Sequence, residues 1–469
     1  MTNDTLLTRA EDTRRGFLRK AAAAGIAAPA VRLAHGSQQS PNDTVNIAVV
    51  GFHGRGRDHY RTFAAMPNVR VAYLCDIDER LFPAAVAEVE KISGSRPATV
   101  VDFRRLIERQ DVDAVSIATP DHWHALQTVW ACQAGKDVYV EKPVSYTLGE
   151  GRKMVQAARK YRRIVQAGLN RRSERSTRSI ARYVRDGEFG PAYRAKAVVF
   201  RGRLSVGRVQ EASIPQGVNW DLFLGPAPYR AYTLNRFHYG WHNFWDTSTS
   251  EIGNNGVHVL DVVRWGLGKN THPVRVHCAG GRFADDDTDQ ETPNVAVASF
   301  TYNDGTMVDL EMTTLYSPKF DGVSIGVFFY TPNGYINSES DGKTVAGRFT
   351  ARDRPGFYAD AGVSESVNNL SFPDIAYERG PEIPMLEEEE VDHFQNFIAA
   401  VRSRKGEDLH CEVEEGHLST SLCHLANIAL RTRRTLVFDP ASESFPGDEE
   451  ANAYLTRTYR EPYTMPDEV

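Results

Sequence analysis

Beyond residue 43 the chain alternates unbroken apolar runs with stretches of helical period. Val45 to Val50 is continuous and apolar, as a strand buried on both faces must be. A helical pattern from Arg57 to Met66 follows, and then a second apolar run, Val69 to Cys75. Ala114 to Ala118, Asp137 to Val140 and Ile164 to Ala167 repeat the strand pattern, with helical stretches such as Trp123 to Ala134 and Leu148 to Tyr161 between them. This alternation predicts an α/β domain over residues 44–168, a parallel sheet with helices on both faces.

The pattern changes from residue 169. Ala195 to Phe200 and Val274 to Cys278 read as strands. Val295 to Tyr302 and Met307 to Met312 flank Asn303-Asp304-Gly305-Thr306, and Val323 to Tyr330 precedes Pro332-Asn333-Gly334; both are hairpin signals. Successive hairpins predict a second domain over 169–440 built on an antiparallel sheet. The acidic run Glu387 to Glu390 is expected to open a helix reaching Val401, and Glu414 to Arg431 to form a packed helix. The polar, proline-bearing tail 441–469 is expected to lie as an arm on the surface.

Composition narrows the partners. Of 469 residues, 41% are hydrophobic and 25% charged, the balance of a soluble globular chain of roughly one to three domains. A net charge of −6 gives no reason to expect nucleic acid or an anionic membrane. The five cysteines are odd in number and lack C-x-x-C spacing, so neither a zinc site nor a disulfide framework is read; buried thiols are expected. At the N-terminus, Arg14-Arg15 with Phe17-Leu18 precedes the short apolar run Ala21 to Ala30, with Ala28-Pro29-Ala30 as a cleavage site. This resembles a twin-arginine export signal, which implies the Tat machinery as a partner and a periplasmic protein exported folded. Residues 1–43 are thus read as signal and linker.

Candidate chemistry gathers at strand ends, where open α/β sheets bind ligands. Gly51-Phe52-His53-Gly54-Arg55-Gly56 follows the first strand and opens a helix. Gly51 and Gly56 fit the first and third positions of the dinucleotide fingerprint G-x-G-x-x-G; His53 stands at the second, with Gly54 one place later to give the pyrophosphate clearance. Asp76 ends the second strand about 20 residues on, where an acid accepts ribose hydroxyls. No arginine directly follows it to welcome a 2′-phosphate, so NAD is expected rather than NADP. Thr119-Pro120 ends the next main strand, and His122 and His124 beyond it are placed along the nicotinamide side. Their spacing could suggest a metal, but no further ligand accompanies them. Glu141-Lys142-Pro143 ends the strand after that; a lysine there can touch cofactor and substrate together, although charged pairs at strand ends are common.

A second constellation lies on a helical pattern. Asn254, His258 and Asp261 stand four and three residues apart, which puts them on neighbouring positions of one helix face. The grouping suits a base supported by polar neighbours, and equally a histidine buried within a helix. Upstream, Phe237, Tyr239, Trp241, Phe244 and Trp245 crowd before Asp246; such faces suit sugar rings, or a core or subunit contact.

Taken in order, the glycine loop, Asp76, Thr119-Pro120, Glu141-Lys142-Pro143 and Gly256-Val257-His258-x-x-Asp261 resemble the Gfo/Idh/MocA family, glucose–fructose oxidoreductase, inositol dehydrogenase and relatives, from about Thr44 onward. The resemblance implies an N-terminal Rossmann domain, a C-terminal α/β domain with a mostly antiparallel open sheet, NAD or NADP, a sugar or cyclitol substrate and a homo-oligomer, dimer or tetramer. It implies Lys142 or His258 as the group that takes a hydroxyl proton, with Asn170 at the cofactor and Arg171 at the substrate, where the aromatic density adds Trp241, Trp245 and Asp246 as candidates. A lysine does this at neutral pH only when burial or a nearby positive charge lowers its pKa. The family usually carries Asp four residues before the histidine, where this chain has Asn254, which weakens support for an imidazolium. Two further readings stay open: an NAD-dependent glycoside hydrolase that oxidises, eliminates and adds water, and a sensor without turnover.

Overall fold

The computed structural model describes residues 44–284, 287–339, 343–349 and 375–469; the expected export signal lies outside them. Strands β1 (Val45–Val50), β2 (Val69–Cys75), β3 (Ala98–Val100), β4 (Ala114–Ile117), β5 (Asp137–Val140) and β6 (Val165–Ala167) form one sheet in the order β3-β2-β1-β4-β5-β6, with every pair parallel. Ile47, Ala48 and Val49 of β1 are fully buried, which explains their unbroken apolar run. The helix Gly56–Ala65 lays Tyr60, Phe63 and Ala64 inward, and Phe63 alone stabilises the fold by roughly 1.5–3 kcal/mol through burial. Strand order reverses between β1 and β4, and the crevice this opens beyond their carboxyl ends is where the site forms.

The second sheet contains β7 (Arg194–Phe200), β8 (Arg275–Gly281), β9 (Val295–Thr301), β10 (Met307–Thr313), β11 (Ile325–Thr331), β12 (Gly334–Asn337), β13 (Lys343–Phe349), β14 (Ile375–Glu382) and β15 (Leu436–Val437). Their order is β14-β13-β12-β11-β7-β10-β9-β8-β15, antiparallel throughout except for β7 beside β10. Gly305, at φ +83°, makes the turn from β9 to β10. On β9 and β10 the residues Ala296, Ala298, Phe300, Val308, Leu310 and Met312 face the core, while Val297 between them is 50% exposed. The helices Val257–Gly266 and Val413–Thr432 pack on this sheet.

Sequence boundaries and packing boundaries differ. The helix expected from Glu387 begins at His393, because the Asp392 carboxylate caps Phe394 N–H and Gln395 N–H and leaves the glutamates outside. This helix returns to the first sheet, where Phe394 meets Phe63 edge-on at 5.1 Å and Tyr139 at 4.7 Å. The C-terminal tail is anchored rather than loose: Tyr463 is buried, donates to Asp221 at 2.7 Å and packs edge-on against Trp123. All five cysteines are free and buried. Among the described residues no helix is long and apolar enough to cross a membrane.

Candidate active site

A cleft of about 620 Å³ opens beyond the carboxyl ends of β1, β4 and β5, walled on the far side by the second domain. Its floor is the glycine loop. Gly51 sits at φ +75°, and a Cβ there would lie 2.9 Å from the Ala118 carbonyl oxygen and the Thr119 nitrogen. A Cβ on Gly56 would lie 2.0 Å from the Gly51 carbonyl oxygen, so both positions are closed to a side chain. Gly54 differs, since a Cβ there would meet nothing within 4 Å; that face of the loop is open to the cleft. The helix starting at Gly56 has no side-chain cap; the N–H groups of Arg57 and Asp58 turn back onto the Gly54 and Arg55 carbonyls at 3.0 and 2.9 Å, and the positive end of the helix dipole still favours an anion there.

Asp76 is buried behind the loop, where it accepts hydrogen bonds from Phe52 N–H at 2.8 Å and Asp78 N–H at 3.0 Å. Burial raises its carboxyl to about 6 against the pull of those backbone donors. Asp76 therefore shapes the loop as well as lining the cleft. Arg80, the nearest downstream arginine, is held by Asp78 through two 2.7 Å hydrogen bonds, and so is not free to greet a 2′-phosphate. His53 stacks on His238 of the second domain at 3.7 Å and closes the outer wall. These residues fit a dinucleotide: an open glycine, an uncapped helix start and an acid at the second strand end.

Glu141 and Lys142 diverge in role. Glu141 is buried, and Oε1 accepts from His59 Nε2 at 3.0 Å and Arg55 Nε at 3.2 Å. Burial alone would raise this carboxyl, but the His59 hydrogen bond and the charges of His59, Arg55 and Lys142 outweigh it and hold Glu141 well below the usual carboxylate range. Lys142 instead reaches across, with Nζ 3.0 Å from both the backbone oxygen and Oδ1 of Asn254. Asn254 lies on a π-helical turn, Ile252–Gly256, and its Nδ2 donates to Glu251 at 3.1 Å. One turn on, His258 lines the same cleft with a buried Nδ1 that has no partner among the described residues. Burial, reinforced by the charges of Lys142 and Arg171, pushes its imidazole down to about 3, so it is neutral at physiological pH. A buried unpaired nitrogen is costly by roughly 1–3 kcal/mol, which fits a group that waits for a ligand.

Thr119, Pro120, His124, Asn170 and Trp241 also line the cleft. His124 does so with both ring nitrogens on carbonyl oxygens, Pro143 and Thr119, each at 2.7 Å, and thereby ties two strand-end loops together. Five expected residues lie elsewhere. His122 is buried outside the cleft, between the carbonyls of Phe223 and Thr247. Asp261 is fully buried and accepts from Arg172 Nε and Ser419 Oγ, because the helix turns that face to Arg172 rather than to the cleft. Trp245 stacks under Arg431, and Asp246 pairs with Arg230 at 2.7 Å. Arg171 does not line the cleft and pairs with Glu339 at 2.8 Å, though its charge reaches His258. Of the crowded aromatics, Phe244 is core, whereas the buried Phe237 and the more open Tyr239 and Trp241 all line the cleft.

Sequence reasoning missed Arg201, Arg203, His242 and Asn255, which all line the cleft. The arginines follow β7, whose apolar run is legible in the chain, but nothing in that run shows that its end faces the cleft of the first domain. His242 stacks on Trp241 at 3.5 Å, and burial pushes it down to about 3. Away from the cleft, His272, His417 and Glu443 form the one group among the described residues with metal-like spacing. Both histidines and Arg152 converge on the Glu443 carboxylate, which reads as a tie for the C-terminal segment.

Two family models match the chain: oxidoreductase family, NAD-binding Rossmann fold, over residues 45–169, and oxidoreductase family, C-terminal alpha/beta domain, over residues 199–317 and 373–465. The chain belongs to the Gfo/Idh/MocA oxidoreductase family. Its first domain matches the family's NAD-binding Rossmann fold. Like other Gfo/Idh/MocA chains it has solved neighbours in fold. The WlbA dehydrogenase of Bordetella pertussis, in complex with NADH and UDP-GlcNAcA, superimposes with a TM-score of 0.58 at 18% identity, over 84% of this chain and 99% of that one. The aldose-aldose oxidoreductase of Caulobacter crescentus, complexed with glycerol, gives 0.59 at 16% identity, over 84% and 100%. Among curated proteins, a glycosyl hydrolase family 109 protein of Saccharopolyspora erythraea is 31% identical over 199 residues, 38% of this chain and 43% of its own length. The similar proteins of that name from Shewanella sp. (strain W3-18-1) and Solibacter usitatus are matched over 35% and 34% of their lengths.

Proposed function

We propose that this oxidoreductase acts on a ring hydroxyl of a sugar, glycoside or cyclitol. The observation that carries the reading is the pairing of Lys142, held at Nζ by Asn254, with the unpartnered Nδ1 of His258 in one cleft beside an open glycine loop. Gly51, Gly54, Gly56 and Asp76 would hold the dinucleotide, with Thr119, Pro120 and Asn170 along it. A dinucleotide bound there would supply hydride-transfer chemistry at the substrate carbon. The chain supplies the proton chemistry. Lys142, in its neutral form, takes the hydroxyl proton, and Asn254 aims Nζ without adding charge. His258, held neutral, orients the hydroxyl by a hydrogen bond. Trp241 offers a flat face to the ring, and Glu141 fixes the loop that carries Lys142.

The short but significant likeness to glycosyl hydrolase family 109 proteins favours a second reading, glycoside cleavage with no net change in NAD. Arg14-Arg15 supports it further: a protein exported folded to the periplasm would carry its nucleotide along, and a closed cycle needs no fresh supply. Purified protein is to be denatured and its nucleotide identified, then offered free sugars and aryl glycosides. NADH accumulating with oxidised sugar supports the dehydrogenase; aglycone released without NADH supports the hydrolase. Sugar binding without either product would overturn both.

A further inference from the structure

The π-helical turn Ile252–Gly256 carries two adjacent amides with different charges in their grip. Asn254 holds Lys142; its neighbour Asn255 accepts from Arg201 Nη1 at 3.3 Å through Oδ1. Arg201 and Arg203 continue the line of β7, with their N–H groups on Thr313 and Thr314 carbonyls at 3.0 and 2.9 Å. Two residues apart on extended backbone, they face the same way, and both line the cleft. Their charges are not equally answered. Arg203 meets both oxygens of Glu251 at 3.3 Å and lies over the Tyr239 ring at 5.4 Å. Arg201 has no carboxylate within ion-pair distance among the described residues; the 3.3 Å bond to Asn255 is the only side-chain bond it makes there.

We infer that Arg201 receives a carboxylate on the substrate, so that the preferred sugar is a uronic acid or a uronoside. Asn255 holds Nη1 and leaves the rest of the guanidinium fork for a two-oxygen acceptor, the geometry in which arginine binds carboxylate best. The one unanswered charge on the Arg201 guanidinium matches a monoanion. A phosphate monoester, which carries between one and two negative charges, would leave charge over. Asn254 and Asn255 are consecutive, so Lys142 and Arg201 are held from one turn of the same cleft wall.

The inference rests on the sugar reading above, and binding is therefore measured apart from turnover. Calorimetry on the nucleotide-loaded protein compares D-glucuronate with D-glucose, D-galacturonate with D-galactose, and the methyl glycosides of each, with glucose 6-phosphate as the dianion control. At least one uronate should bind tenfold or more tightly than its neutral partner and than the phosphate. Arg201→Gln should collapse that ratio to within about threefold, and Arg201→Lys, which keeps the charge but loses the fork, should fall between. Neutral sugars bound as well as uronates in every pair, a preference that survives Arg201→Gln, or tighter binding of the phosphate would each overturn the carboxylate assignment. Uronate binding that depends on Arg201 with no oxidation or cleavage would uphold it and overturn the proposed reaction instead.

Discussion

Lys142 Nζ lies 3.0 Å from both oxygens of Asn254, the backbone carbonyl and Oδ1. Both acceptors are neutral, so they fix the position of the nitrogen without the pull a carboxylate would exert on its proton. Lys142→Met keeps the apolar stem of the side chain and removes the nitrogen. Turnover should fall by roughly 10²–10⁴-fold, the usual share of a positioned acid or base, while the purified protein keeps its nucleotide. Full activity in this variant would sink the assignment.

Asn254→Asp restores the acid usual in the family and tests how the neutral amide tunes Lys142. A carboxylate beside Nζ favours the charged lysine. The rise of kcat/KM with pH should therefore move upward, and the rate at neutral pH should drop. The new group also loses the 3.1 Å hydrogen bond that Nδ2 now donates to Glu251. A profile that stays in place would show that Asn254 does not govern the proton on Lys142.

Some of this site was legible in the chain and some was not, for reasons that can be named. The strand ends at Gly51, Asp76, Thr119 and Lys142 were readable because buried parallel strands are continuous apolar runs and the residue after each run falls at one edge of the sheet. Helix-face spacing brought Asn254 and His258 together but also proposed Asp261, whose direction is set by Arg172, 89 residues distant in sequence. His122 was misplaced similarly, since the carbonyls that hold it, Phe223 and Thr247, belong to the second domain. Spacing reports which residues share a face of their own element; it carries no information on what packs against that face.

Gly54 and Gly51 should separate nucleotide binding from folding. Gly54→Ala adds a methyl group into open space, so the thermal midpoint of the nucleotide-free protein should stay within about a degree. Affinity for NAD should drop by tenfold or more if the pyrophosphate approaches that face. Gly51→Ala instead combines φ +75° with a 2.9 Å contact to Ala118, and should destabilise the fold itself by about 1–3 kcal/mol. Titration of NAD against both variants, alongside their melts, checks the contrast. Unchanged NAD affinity in Gly54→Ala would place the pyrophosphate elsewhere.

Asp261→Asn should behave as a structural lesion. The carboxylate takes three hydrogen bonds from Arg172, whose side chain is 4% exposed. Removing the charge leaves a buried guanidinium with only the partly exposed Glu415, at an expected cost of about 3 kcal/mol. Denaturant unfolding should register the loss, whereas kcat measured on the folded fraction should stay within a few-fold. A collapse of kcat with unchanged stability would return Asp261 to the chemistry.

His258 ties activity to stability in a way that pH can read. Its folded pKa is pushed down to about 3, against an ordinary 6.5. Between those values the unfolded chain binds a proton that the folded site refuses. The stability it contributes is therefore full above about 6.5 and falls as pH drops, at up to about 1.4 kcal/mol per pH unit for this one group. His258→Gln keeps a hydrogen-bonding group and cannot titrate there. The slope of unfolding free energy against pH between 6 and 4 should flatten by close to one proton in the variant, read from denaturant melts at matched pH values. Wild-type kcat/KM should show no limb near 6.5 that disappears in His258→Gln. A limb of that kind, or an unchanged stability slope, would mean that His258 is protonated in the working enzyme and that its unpaired Nδ1 is not the neutral contact to substrate.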